Sequence, residues 1–320
     1  MSKYRNRLPQ LRKGLFATDA GLETTLIFHR KLELPHFAAF DLLKNETRTA
    51  VLRDYFERYA ELAVGRSLGL VLESATWRAS RDWGARLGYD EIALADANRR
   101  SIGLLLEIRE RFESPSTPIV ISGNIGPRGD GYRPTSRMTA LEAADYHAPQ
   151  IDTFAGTDAD MVAAFTMNYI DEAVGITTAA KSAGIPIAVS FTLETNGHLP
   201  SGDTLAQAIQ RTDDETDGYP AYYMINCAHP THFLHVLDGA PWTSRIRGIR
   251  ANASRKSHRE LDESSTLDEG DPEELGDQYC LLRKHLPALA VVGGCCGTDH
   301  RHVAAMCDAL TSAASSRAAC

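Results

Sequence analysis

Three cysteines carry the chemistry that this chain can be expected to do. Cys295 and Cys296 stand side by side in Val292-Gly293-Gly294-Cys295-Cys296-Gly297-Thr298, and Cys227 follows the apolar run Tyr222-Tyr223-Met224-Ile225-Asn226. Adjacent cysteines do not easily bond to each other, and flanking glycines let the backbone turn so that both thiols point one way. One cysteine plus such a pair supplies three thiolates, which is a zinc site with one position left for a substrate. Three cysteinates leave zinc net negative, so a fourth, incoming thiolate stays electron-rich and suits sulfur as the attacking atom. Histidine ligands would instead suit an activated water or a polarised carbonyl. A redox role for the pair is disfavoured by the absence of Cys-x-x-Cys spacing.

The bulk properties narrow the setting. The chain has 320 residues, 43% hydrophobic and 24% charged, with a formal net charge of -8. That length buries a large core. The acidic balance argues against a nucleic-acid groove, and no apolar run is long enough for a membrane span. Met1 to Lys13 is basic but lacks the apolar core of a secretory signal, so it reads as a solvated leader. Six cysteines in a chain this long do not make a disulfide scaffold. A reducing cytoplasmic setting, with thiols free for metal, is expected.

The elements that must position the cysteines are legible as short apolar runs: Leu15–Thr18, Gly69–Leu72, Pro118–Ser122, Met161–Phe165, Pro186–Phe191, Tyr222–Asn226, Ile246–Arg250 and Leu289–Gly293. Several are almost continuously apolar, as strands buried on both faces are. Helix-like spacing fills the gaps, as in Asn45–Gly65, Asp96–Phe112, Ile170–Ala183 and Glu274–His285. This alternation predicts an α/β fold, an eight-stranded parallel β/α (TIM) barrel, over a single domain spanning 1–320. Residues 1–13 and 312–320 are expected to be peripheral. A doubly wound open sheet is the rival, but it gives no reason for strands six and eight to bring their ends together.

In a barrel, chemistry gathers at the C-terminal ends of the strands. Cys227 ends the sixth run, and Cys295 and Cys296 follow the eighth. Asp19 ends the first, and Glu73 and Ser74 end the second. The Gly/Pro-rich stretch 126–136 and the polar stretch 252–271 are expected to be mouth loops.

At these motifs the chain resembles the homocysteine S-methyltransferase family of zinc-dependent barrels. The marks are Asn226-Cys227 and Gly293-Gly294-Cys295-Cys296-Gly297-Thr298, supported by Thr18-Asp19-Ala20-Gly21-Leu22-Glu23-Thr24, Ser122-Gly123-Asn124-Ile125-Gly126-Pro127 and Ser190-Phe191-Thr192. The resemblance runs over nearly the whole length. It implies Zn2+ held by Cys227, Cys295 and Cys296, and methyl transfer from a small onium donor (S-methylmethionine, S-adenosylmethionine or betaine) to a thiol, with homocysteine giving methionine.

The resemblance also implies substrate contacts. Asp19 would hold the substrate ammonium, and Ala20, Gly21 and the hydroxyl of Ser74 or Thr76 its carboxylate. Asn226 belongs to the cysteine motif and is expected in the same pocket. Trp77 and Tyr169 are aromatic candidates for the donor, with Arg78 beside Trp77 opposing a cation if it points inward. Phe165 stands where the family commonly has a glutamate that also grips the ammonium. Glu73 or Glu194 is expected to replace that carboxylate, or the acceptor is another small thiol. A zinc hydrolase or lyase, and a zinc-storage or redox protein, are the readings from other classes.

Overall fold

A computed structural model describes residues 1–12 and 14–315, the last three by backbone alone. Eight parallel strands close into a barrel in sequence order. They are β1 (Phe16–Thr18), β2 (Gly69–Glu73), β3 (Ile119–Ile125), β4 (Met161–Met167), β5 (Ile187–Thr192), β6 (Tyr222–Asn226), β7 (Ile246–Ala251) and β8 (Val291–Gly294). Helices surround them. β8 returns to β1 through Phe16↔Val291 and Ala17↔Val292. The predicted TIM barrel is what forms, and the predicted strands match the observed ones to within three residues at either end.

Alternation along each strand divides the core. Phe16, Val71, Val120, Met161, Ala163, Phe165, Ala188, Tyr222, Met224 and Val291 fill the barrel interior. Leu70, Leu72, Ile119, Ile121, Val189 and Ile225 face outward under the helices. Both faces of each strand are therefore buried, which explains the nearly unbroken apolar runs.

The helices start on capping chemistry. Asn45 accepts a hydrogen bond from the Arg48 amide at 3.0 Å where the helix Glu46–Arg66 begins. Thr139 and Glu142 form a reciprocal capping box at the start of Ala140–Ala155. Caps of this kind contribute about 1 kcal/mol each.

The N-terminal residues are not a solvated leader. Tyr4 donates its amide to Asp160 at 2.7 Å, and the Arg5 guanidinium donates to the carbonyls of Ala155, Thr157 and Ala159. Leu8 and Gln10 are buried, and Leu8, Tyr4 and Leu11 pack on the interior cluster. The segment plugs the N-terminal end of the barrel, because apolar side chains there would otherwise be wet. At the other end of the chain the helix His300–Ser315 runs well into the expected peripheral tail; residues 316–320 lie outside the described ones. No helix of the described residues is long and apolar enough to cross a membrane.

Candidate metal and substrate site

The three cysteines converge at the C-terminal mouth. Their sulfurs all lie within 4.8 Å of one another. β7 holds both segments in place: the Cys227 amide donates to the Arg250 carbonyl at 3.1 Å and the Cys295 amide to the Ala251 carbonyl at 2.8 Å. Cys227 takes a left-handed backbone with φ 53°, a conformation that costs a non-glycine residue about 1 kcal/mol or more and marks functional turns. At Gly21 an added Cβ would lie 2.6 Å from the Cys295 carbonyl oxygen, so only glycine lets the β1 turn approach the cysteine loop this closely.

Cys227 and Cys295 are joined by a disulfide with Cα atoms 5.4 Å apart, while Cys296 is free. This differs from the expectation of three reduced thiols. The same convergence serves both states, since sulfurs close enough to share a tetrahedral cation, at about 2.3 Å each, are close enough to bond each other. Burial pushes the Cys296 thiol up to about 11, with the Glu23 carboxylate adding to the effect. A cation is what would ionise it. Three sulfur donors at one point, with no histidine or carboxylate in the group, fit zinc.

A second group of possible metal-binding side chains, His29, Glu269 and Asp299, lies at the rim. Asp299 is committed there to Arg301 and His302. His302 also bonds the Glu269 carbonyl, so its place beside the cysteine motif is structural.

The expected substrate residues divide. Asp19 is buried and already occupied. Its Oδ1 accepts from Arg250 Nη1 at 2.9 Å and from Thr18 at 3.0 Å, and its Oδ2 accepts from the Tyr55 hydroxyl at 3.1 Å. Arg250 donates further to the carbonyls of Gly294 and Ala20, so the Ala20 carbonyl faces Arg250. The Ala20 amide donates to Tyr55, and the Gly21 amide donates to the Thr298 carbonyl. Ser74 and Thr76 hydroxyls bond each other at 2.6 Å and tie to Asn124 of β3. Phe165 is buried in the barrel with the Arg250 guanidinium 5.1 Å from its ring.

Asn226 is a strut. Its Oδ1 accepts from Ser190 at 2.7 Å and from the Thr166 amide at 3.0 Å, and its Nδ2 donates to the Thr166 hydroxyl at 3.0 Å. Thr166 is itself left-handed, φ 64°, so Asn226 holds a strained bulge within β4, directly after Phe165.

Of the two carboxylates expected to substitute for the missing one, Glu194 is taken by His258 at 3.3 Å. Hydrogen bonding to His258 holds it below the usual carboxylate range. Glu73 is buried in the barrel with Oε2 unpartnered, and burial raises it to about 7.

The aromatic candidates are also engaged. The Arg78 guanidinium lies 4.0 Å from the centroid of Trp77. The Tyr169 hydroxyl accepts the Met138 amide at 3.1 Å, which anchors the loop after β3.

Two loops roof the site, as expected for mouth loops. Tyr132 lies close enough to the Cys296 thiol for the two to influence each other's ionisation, and its ring lies 4.2 Å from that of His258 in the segment after β7. His258 Nε2 donates to the Cys227 carbonyl at 2.5 Å. The sequence reading missed Arg250, Tyr132 and His258. The only signal for Arg250 was that it is one of two arginines, with Arg247, in a predicted barrel strand, and a buried charge must be paired.

The family model for homocysteine S-methyltransferase matches residues 17–310. No curated protein matches the sequence. Among solved structures, the metallated form of the homocysteine methyltransferase MmuM from Escherichia coli is similar at 19% identity and TM-score 0.69, covering 92% of this chain and 96% of that one. The oxidized form of MmuM is similar at 18% identity and TM-score 0.73, covering 95% and 99%. Because the family model spans most of the chain, this protein is a methyltransferase that belongs to the homocysteine S-methyltransferase family.

Proposed function

We propose that this protein is a zinc-dependent thiol S-methyltransferase of the cytoplasm, with homocysteine as acceptor, methionine as product and a small onium compound as donor. The convergence of the Cys227, Cys295 and Cys296 sulfurs within 4.8 Å at the barrel mouth carries the reading. These three residues would hold the zinc, which when bound lets a thiol bind as the thiolate at neutral pH.

The rest follows from the chain's own groups. Asn226 and the bulge at Thr166 fix the end of β4 against β6. Tyr132 and His258 meet beside the cysteines and narrow the approach to them. The acceptor sulfur attacks the methyl carbon in line, and the bond from that carbon to the onium atom breaks. The leaving group keeps the electron pair and departs neutral. The residues must align the two reactants, and alignment of this kind accounts for much of an enzyme's advantage.

A second reading, methylation of another small thiol, is favoured by one observation: Asp19 is already engaged by Arg250, Thr18 and Tyr55. A hydrolase would want a histidine or carboxylate ligand, and the cysteine group contains neither.

The test is methyl transfer from S-methylmethionine, S-adenosylmethionine and betaine to homocysteine and to a panel of small thiols, followed by mass spectrometry, with zinc content measured in parallel. Full zinc and full activity in Cys295→Ser would falsify the proposal.

A further inference from the structure

Arg78 brings a charge to the barrel mouth that no group of the protein neutralises by contact. It is 9% exposed, and among the described residues no carboxylate pairs with it. Its one protein hydrogen bond runs from Nη1 to the Gly129 carbonyl at 2.9 Å. Its Nε has no partner. The guanidinium is held between two indoles, 4.0 Å from the centroid of Trp77 and 3.8 Å from that of Trp83. Both indole N–H groups are likewise buried without a partner. Three buried donors thus occupy one small region, around a guanidinium that Asp130 and Glu23 influence only from beyond contact distance. A buried donor left unpaired is costly, and a buried charge out of contact with any counter-charge is costlier. An anion would answer the charge and these donors together.

The cluster belongs to the same mouth as the cysteines. Gly129, which Arg78 bonds, and Tyr132, which lies near enough to Cys296 to influence its ionisation, are on one loop. An added Cβ on Gly126 would fall 2.7 Å from Trp77 Nε1, so that loop lies directly on the indole. The Glu23 carboxylate is close enough to interact with both Arg78 and Cys296. Burial lowers Arg78 only to about 10, so the group stays cationic at neutral pH.

We infer that Arg78, with the indole N–H groups of Trp77 and Trp83, is an anion subsite that receives the carboxylate of one of the two reactants. Two rings crowd the guanidinium carbon at 4.0 and 3.8 Å, while Nε on its edge is without a partner. Edge-on approach suits a planar carboxylate. In this subsite the Trp77 ring already carries a cation, the Arg78 guanidinium. The inference rests on the methyl-transfer reading for the identity of the reactants, and not for the existence of the subsite.

The experiment is calorimetric titration of the reduced, zinc-loaded full chain with two matched pairs. Homocysteine is compared with 3-aminopropane-1-thiol, which lacks only the carboxylate. S-methylmethionine is compared with (3-aminopropyl)dimethylsulfonium, its decarboxylated counterpart. The wild type is expected to prefer the carboxylated member of one pair by about ten- to hundredfold, the span of a charge-assisted hydrogen bond. The pair that shows it says whether acceptor or donor occupies the subsite.

In Arg78→Gln that preference should collapse while binding of the decarboxylated member is unchanged. Arg78→Lys, which keeps the charge but loses the fork, should retain part of it. Wild-type indifference to the carboxylate in both pairs overturns the subsite, whatever the variants do. So does an equal loss for both members of a pair in the variants. A chain that binds the carboxylated ligand through Arg78 but transfers no methyl overturns the reaction and leaves the subsite standing.

Discussion

The Arg250 guanidinium on β7 holds the Asp19 carboxylate at the end of β1 at 2.9 Å, both buried inside the barrel. This pair closes the ring of strands at its mouth, because Arg250 also donates to the backbone of Ala20 and Gly294. Removing one partner strands the other charge in the interior, and such a break typically costs about 3–5 kcal/mol. Arg250→Met should destabilise by that order, as measured by urea unfolding. Arg250→Met with Asp19→Asn should recover much of the loss. Additive losses in the double variant would show that the two do not act as a pair.

Cys227, Cys295 and Cys296 should act as one metal site. Under reducing conditions each Cys→Ser change should sharply lower zinc content, while Cys307→Ser, buried and away from the group, should leave it unchanged. Without reductant the Cys227–Cys295 disulfide occupies two of the three sulfurs, so zinc uptake should require reduction first. Elemental analysis of samples prepared with and without thiol reductant checks both statements.

Asn226 is expected to matter through geometry. Asn226→Ala leaves the Thr166 amide and the Ser190 hydroxyl without their acceptor, at about 1–3 kcal/mol for each buried group orphaned. Asn226→Asp keeps the acceptor oxygen and should retain more of the stability. Denaturation midpoints of the two variants test this, with equal loss counting against the strut.

Glu73 gives stability a pH dependence. Burial, with a smaller push from Asp19, raises it from 4.5 to about 7. The folded state therefore holds this proton more tightly than the unfolded chain does. Its stabilising contribution is complete below about pH 4.5 and is lost as pH rises toward 7. By linkage the loss is of order 3 kcal/mol. Glu73→Gln should flatten this part of the profile. Unfolding free energies at several pH values across that window, in both proteins, decide the matter.

The sequence by itself determined the barrel and its cysteines. Buried parallel strands must be apolar on both faces, so β4, β5 and β6 were legible as runs, and a barrel forces the ends of β6 and β8 to a common rim. What only the tertiary structure decided is which polar groups are already spent. Asp19 looked available because its neighbours in sequence carry no positive charge; Arg250 reaches it from a strand more than two hundred residues away, closed onto β1 through β8. Trp77 looked like a cation platform because nothing local showed that Arg78 folds back between it and Trp83. Residue type fixes what a group can do, but its free valence depends on partners that meet it only when the barrel closes.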